Sequence, residues 1–316
     1  MVGRRKCVRR TPGTPWVRRP WCRVVHGPGI TERQRIVIDE GVGNVAILAR
    51  IRHVALDMDG TLYRGGQLFE ATLPFLARLR RLGIGHTFLT NNTSLSKSDY
   101  VQKLRRLGID ATEEEVGTPA DATIAYLRER LPEVRTVAIL GTPSLCRQFV
   151  EAGFLVTWDA PEAVVVGYDT TLTFDRLCKT AYWISAGLPF LATHPDLTCP
   201  TDEPTVRVDC GAICACLSAA TGRIPIVLGK PDPSMLLELC ARHGLKVDEV
   251  AMVGDRTYTD MAMAQMAGAC SVLVLSGEAT AADAAEMATP PDFIVEHIGV
   301  LGDWLERSRG ALRDGR

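Results

Sequence analysis

From His53 onward the chain repeats one rhythm: a short apolar run, a polar break, then a segment with apolar residues at helical spacing. The runs HVALDM, HTFLTN, TVAILG, AVVVG, PFLATH, AMVG and CSVLVLSGE are apolar almost throughout. They do not alternate wet and dry positions, so they read as strands buried on both faces. Between them, Phe69 to Leu82, Ser94 to Leu107, the stretch from Thr118, Ser144 to Ala152 and Phe174 to Ala186 read as amphipathic helices. Strands and helices alternating in this way predict an α/β fold, a doubly wound, Rossmann-like parallel sheet covered on both faces. The 316 residues are enough for two domains. The rhythm restarts near Pro132 and again near Ile224. That predicts a core at 51–132 and 225–305, an inserted α/β unit at 133–224, and a C-terminal tail at 306–316.

The net charge of −1 gives no overall pull toward nucleic acid or anionic membrane, and it conceals an asymmetry. Residues 1–50 carry eleven basic and three acidic residues, a net +8, which leaves −9 for the remainder. The basic clusters, RRKCVRR and VRRPWCR, are mixed with Pro and Gly and show no period, so 1–50 reads as a disordered basic extension. No apolar run reaches the ~20 residues of a membrane span. Ten scattered cysteines in a chain of this size fit a reducing cytoplasm better than a disulfide framework. Cys210, Cys214 and Cys216 read as small residues packed on a helix.

Ligands of open α/β sheets sit beyond the carboxyl ends of the strands. Four of the runs end there in polar residues: Asp57 and Asp59; Thr90, Asn91 and Asn92; Lys230 after IVLG; and Asp255 after AMVG, with Asp260 five residues on. Parallel strands would bring these groups to one edge. Carboxylates so close raise each other's pKa and need a compensating cation. Mg²⁺ is the hard cation usual in phosphate chemistry, with Asp57, Asp59 and Asp255 as candidate ligands and Asp260 in support. Lys230 supplies a second positive charge and can hold a substrate phosphate, and Thr90 with the backbone N–H groups after it can bind other phosphoryl oxygens. Asp57 and Asp59 lie at i and i+2 of an extended segment and point the same way. Asp57 suits an in-line nucleophile toward phosphorus, and Asp59 an acid and base for the leaving group and water. DMDG is not a calcium loop, because positions six and twelve from Asp57 are Leu62 and Leu68 rather than Gly and Glu.

The set DMDGT, LTNNTS, GKPDP and GDRTYTD, in this order, resembles the four motifs of the haloacid dehalogenase superfamily over roughly residues 51–305. An insert between the second and third motifs is similar to the branch with a C2-type α/β cap. The stretches VVVGYD, ATHPD, CGAICACLSAATGR and VLVLSG resemble NagD-like, or p-nitrophenylphosphatase-like, members. The resemblance implies Asp57 as nucleophile, Asp59 as acid and base, and Thr90 and Asn91 on phosphate. It also implies that Lys230 bridges phosphate and nucleophile, and that Asp255 ligates the metal with Asp260 behind it. Asn92, in the same polar strand end, joins the candidate phosphate contacts. Two departures fall in the cap: His194 stands where asparagine is common, and Asp209 precedes Cys210 in a glycine-poor turn. His194 is a candidate for contact with the leaving group, and equally for capping a loop.

The expectation is a Mg²⁺-dependent phosphatase of small phosphomonoesters, sugar phosphates or nucleoside monophosphates, acting through an aspartyl-phosphate. Its partner is a small phosphorylated metabolite, with no nucleic acid on the core, no membrane, and a homodimer through the cap as one option. The alternatives are a phosphotransferase or phosphomutase using the same intermediate, and a non-catalytic phosphometabolite-binding protein.

Overall fold

The computed structural model describes residues 45–199 and 205–313. The basic clusters of the N-terminal segment lie outside the described residues.

Six parallel strands form the first sheet, in the order Phe293–Val295, Cys270–Val274, Val250–Gly254, His53–Asp57, Gly85–Leu89, Val116–Gly117. In chain order this is 6-5-4-1-2-3, the doubly wound arrangement in which the order reverses beside the first strand. Its two faces can be followed residue by residue. Val54, Leu56, Ala251 and Val253 pack against Phe75, Leu79, Ile298 and Leu301 on one side. Ala55, Val250 and Met252 pack against Met235, Leu236, Leu239 and Met263 on the other. Burial of both faces explains why these strands read as unbroken apolar runs.

A second sheet of five parallel strands runs in the order Ile226–Val227, Phe190–Ala192, Ala163–Val166, Thr136–Leu140, Leu155–Val156. It too is covered on both faces, by Phe149 and Leu145 with Ile124 on one and by Ile184, Ile213 and Leu217 on the other. Cys210 and Cys214 are buried within that second face and Cys216 is exposed.

Three expectations need correction. Ile226–Val227, read as the strand returning to the first sheet, pairs instead with Leu191 and Ala192. The chain crosses to the first sheet only after it, through Gly229, Lys230 and Pro231, into the helix Ser234–His243. Residues 45–50 are not part of an extension without structure: Val45–Arg50 is a helix, and Leu48 is 2% exposed within the main core. Nor is 306–313 a tail, because the helix Ile298–Arg313 runs through it with Leu305 and Ser308 buried. Both segments are short, or amphipathic with a single apolar stripe. Their apolar residues become core only because the two helices meet each other.

Candidate active site

The first sheet reverses order between His53–Asp57 and Val250–Gly254, and the crevice of such a sheet opens there, beyond the carboxyl ends. Asp57 is the last residue of one of these strands and Asp255 directly follows the other. Gly60 turns the chain away with φ +90°, and a Cβ there would lie 2.2 Å from Asp255 Oδ2, so only glycine lets the Asp59 loop close over Asp255. Asp260 sits on a single π-helical turn, Thr257–Met261, which aims its side chain back toward the strand end.

The expected groups meet. Lys230 Nζ donates to Asp57 Oδ1 at 2.5 Å and to Asp260 Oδ1 at 2.7 Å, with Lys230 only 2% exposed. Asp260 Oδ2 accepts from the Arg256 N–H at 3.1 Å, and Asp255 Oδ2 accepts from the Glu278 N–H at 2.7 Å. Asp255 Oδ1 is buried without a hydrogen-bond partner. Burial, then Asp57 and Asp260, push the Asp255 carboxyl up to about 8. Burial also pushes Asp260 up to about 6, against the pull of Lys230. Burial opposes the charge on Lys230, but Asp260 and Asp57 outweigh it and hold the ammonium more firmly protonated than usual.

One ammonium does not balance three carboxylates. Oxygens of Asp57, Asp255 and Asp260 lie within 4.8 Å of one another, and one of them is orphaned. An all-oxygen donor set with an uncompensated anion suits a hard divalent cation. The oxygen without a partner is Asp255 Oδ1; Asp57 Oδ2 accepts only a long bond from the Thr61 hydroxyl at 3.4 Å, while both Asp260 oxygens are firmly engaged.

The cleft above is lined by Asp57, Asp59, Thr90, Lys230, Arg256 and Asp209, among others. Asn91 and Asn92, expected on the phosphate, line the same cleft, and their side chains also bond to the protein. Asn91 Oδ1 accepts from the Lys230 N–H at 2.9 Å, and its Nδ2 donates to the Lys230 carbonyl at 2.9 Å and to Asp196 at 3.3 Å. It therefore clamps the backbone of the residue that crosses from the second sheet. Asn92 Oδ1 accepts from Ser94 N–H and Oγ–H, and its own N–H donates to Thr90 Oγ1, which shapes the loop. Asn91→Ala would leave two buried backbone groups of Lys230 unpaired, each costing about 1–3 kcal/mol. Urea denaturation should show a fall of at least 2 kcal/mol by the same estimate, and turnover should fall with it as Lys230 loses its anchor.

Of the two roles open to His194, contact with the leaving group does not fit its position. It is 0% exposed and does not face the cleft. Nδ1 lies 3.6 Å from Asp196 and Nε2 3.5 Å from Asp209, so it is enclosed between two acids at ion-pair distance, longer than a hydrogen bond. Burial opposes its charge, but Cys210, Asp196 and Asp209 outweigh burial and raise its pKa to about 9. Asp196 and Arg256 were not singled out from the sequence. Arg256 Nη1 lies 3.5 Å from Asp196 Oδ2, an ion pair that joins the two sheets across the cleft. The signal was present, since Arg256 follows Asp255 and Asp196 closes ATHPD, but their meeting depends on how the sheets face each other.

A family profile described as haloacid dehalogenase-like hydrolase matches residues 54–155, and one described as HAD-hydrolase-like matches 227–301. An acid sugar phosphatase of Staphylococcus aureus is 33% identical over 253 residues, 80% of this chain and 97% of that protein. The structure of a 4-nitrophenylphosphatase from Thermotoga maritima superposes with a TM-score of 0.78 at 38% identity, covering 81% of this chain and 98% of that one. A glycerol phosphate phosphatase from Mycobacterium tuberculosis, solved in complex with magnesium, gives 0.75 at 32% identity over 82% of this chain and 77% of its own. With a fold, an acidic crevice and a likeness over four fifths of its length in agreement, the chain belongs to the haloacid dehalogenase-like hydrolases and is similar to phosphatases among them over 80% of its length.

Proposed function

We propose that the protein is a Mg²⁺-dependent phosphomonoesterase of small phosphorylated metabolites, sugar or polyol phosphates foremost, working through an aspartyl-phosphate. The observation that carries this reading is Asp57, fixed at 2.5 Å by a buried ammonium and placed at the switch point beside the orphaned oxygen of Asp255. Likeness to phosphatases over 80% of this chain and nearly the whole of those proteins supports the reaction class.

Asp57 attacks phosphorus in line, and the alcohol leaves. Asp59, exposed to the cleft two residues on, gives the leaving oxygen its proton. The same carboxylate then takes a proton from the water that attacks the phosphorus of the acyl phosphate, which releases inorganic phosphate and restores Asp57. Lys230 and the Thr90 hydroxyl hold the non-bridging oxygens while charge moves across the phosphoryl group. A divalent cation held by Asp57, Asp255 and the Asp59 carbonyl, with Asp260 behind, supplies charge neutralisation there when bound. The second sheet acts as a cap, latched to the catalytic sheet through Asp196, and keeps bulk water off the intermediate. A reducing cytoplasm suits the buried thiols of Cys210, Cys214, Cys240 and Cys270. No described helix is long and apolar enough to cross a membrane.

Phosphate release from p-nitrophenyl phosphate and from a sugar phosphate, with Mg²⁺ and with EDTA, tests the reaction. The metal has its own readout. At a hundred times Kd, Mg²⁺ should stabilise by about 2.7 kcal/mol, a rise in Tm of roughly 4–5 °C for a chain of this size. No rise in Tm, together with no Mg²⁺-dependent turnover, would overturn the proposal.

A further inference from the structure

His194 and Asp209 are fifteen residues apart in sequence and in contact in the fold, and the hydrolytic chemistry uses neither. Asp209 opens the helix Cys210–Thr221 as its N-cap, with Oδ1 accepting from the Cys210 N–H at 2.6 Å. It lines the same cleft as Asp57 and Lys230 but belongs to the second sheet's layer. Behind it His194 is fully buried, and both ring nitrogens lack a hydrogen-bond partner. The backbone leaves little play here. The Asp209 N–H donates to the Leu197 carbonyl at 3.0 Å and the Gly211 N–H to the Asp196 carbonyl at 2.8 Å. A Cβ on Gly211 would lie 2.0 Å from the Pro195 carbonyl oxygen, so the loop carrying His194 and the helix carrying Asp209 are pressed together.

We propose that Asp209 determines specificity in the cleft by accepting a hydrogen bond from a hydroxyl on the organic part of the substrate, and that His194 is the positioning residue that fixes its carboxylate; the inference rests on the phosphomonoesterase reading. The other cleft charges are committed. Lys230 holds Asp57 and Asp260, and Arg256 faces Asp196. Asp209 meets its cation, His194, at its buried side. Burial leaves the Asp209 carboxyl raised even against His194 and the Cys210 N–H, so a further donor from the cleft is favourable. Thr198 and Cys199 line the cleft with it, and the described lining holds no aromatic ring on which a flat leaving group could stack. A carboxylate at this wall favours hydroxylated leaving groups, as in a polyol or sugar phosphate. It disfavours a second anionic group on the metabolite, since like charges in a water-poor cleft repel.

The readout is a ratio: kcat/KM for sn-glycerol 3-phosphate over kcat/KM for p-nitrophenyl phosphate. Asp209→Ser keeps a good N-cap but is too short to reach the substrate hydroxyl, and should lower this ratio about tenfold to a hundredfold, the worth of a hydrogen bond to a charged acceptor. The change should fall mainly on KM for the glycerol ester. His194→Leu should lower the same ratio, and His194→Gln, which keeps a donor near Asp209, should recover part of it. A purely structural role for His194 would lower Tm and leave the ratio unmoved. A ratio within about threefold of wild type in Asp209→Ser, set against that hydrogen-bond estimate, would overturn the inference while leaving the phosphatase standing. Wild-type protein inactive on both esters would instead remove the phosphatase reading and the inference with it.

Discussion

Lys230→Met is expected to cost the protein both its turnover and much of its stability. The ammonium lies between Asp57 at 2.5 Å and Asp260 at 2.7 Å and is almost sealed from water. Methionine fills nearly the same volume, so the loss is electrostatic rather than a cavity. Three buried carboxylates would then face one another with no lysine between them. Breaking a buried pair by removing one partner costs about 3–5 kcal/mol, which lowers Tm by roughly 5–9 °C in a chain of this size. Calorimetry with and without Mg²⁺ is the measurement. The cation should return part of the lost stability, because it neutralises the same acids. It should not return turnover, since the group that holds both the nucleophile and a phosphoryl oxygen is gone. Loss of one such electrostatic contact lowers kcat by about 10²–10³-fold, and here two contacts go together. A variant as stable as wild type would mean that Lys230 does not offset the charge of Asp57 and Asp260, and the electrostatic account of the site would go with it.

The parts of this site that could be read in advance are those fixed by sheet direction. In a parallel sheet every strand delivers its last residue to the same edge, so Asp57, Thr90 and Asp255 could be brought together from linear order alone. Lys230 was brought to the right place along the wrong path. Its approach strand, Ile226–Val227, is as apolar as the strands of the first sheet, and nothing in two residues tells which sheet they join. The asparagines show a different limit. A polar residue at a strand end is a candidate ligand until its partners are known, and the partners of Asn91 are the backbone of residue 230 and the side chain of residue 196. His194 follows the same logic. It leaves the end of a strand, as Asp57 does, but Asp196 and Asp209 close around it and bury it. Arg256 escaped notice because it stands beside Asp255, where a single opposite charge reads as mere compensation.

Asp57→Asn should abolish turnover while leaving the fold intact or making it firmer, the reverse of Lys230→Met on stability. Asparagine keeps the shape and the Lys230 contact through its carbonyl oxygen, but it is a far poorer nucleophile toward phosphorus. Removal of a nucleophile from a covalent mechanism costs on the order of 10⁴–10⁶ in kcat. Stability moves the other way, because Asp57 raises the pKa of both Asp255 and Asp260 by like-charge repulsion. With one negative charge gone, Lys230 still pairs with Asp260 and the excess negative charge shrinks. Metal-free Asp57→Asn should therefore melt no lower than metal-free wild type, and its Mg²⁺-dependent rise in Tm should be smaller. Mass spectrometry of acid-quenched reactions separates nucleophile from bystander. Wild-type protein should carry one phosphoryl group on the peptide containing Asp57, and the variant none. Turnover above about one per cent of wild type, far more than loss of a nucleophile permits, would assign the attack on phosphorus to water. Asp57 would then be a ligand and nothing more.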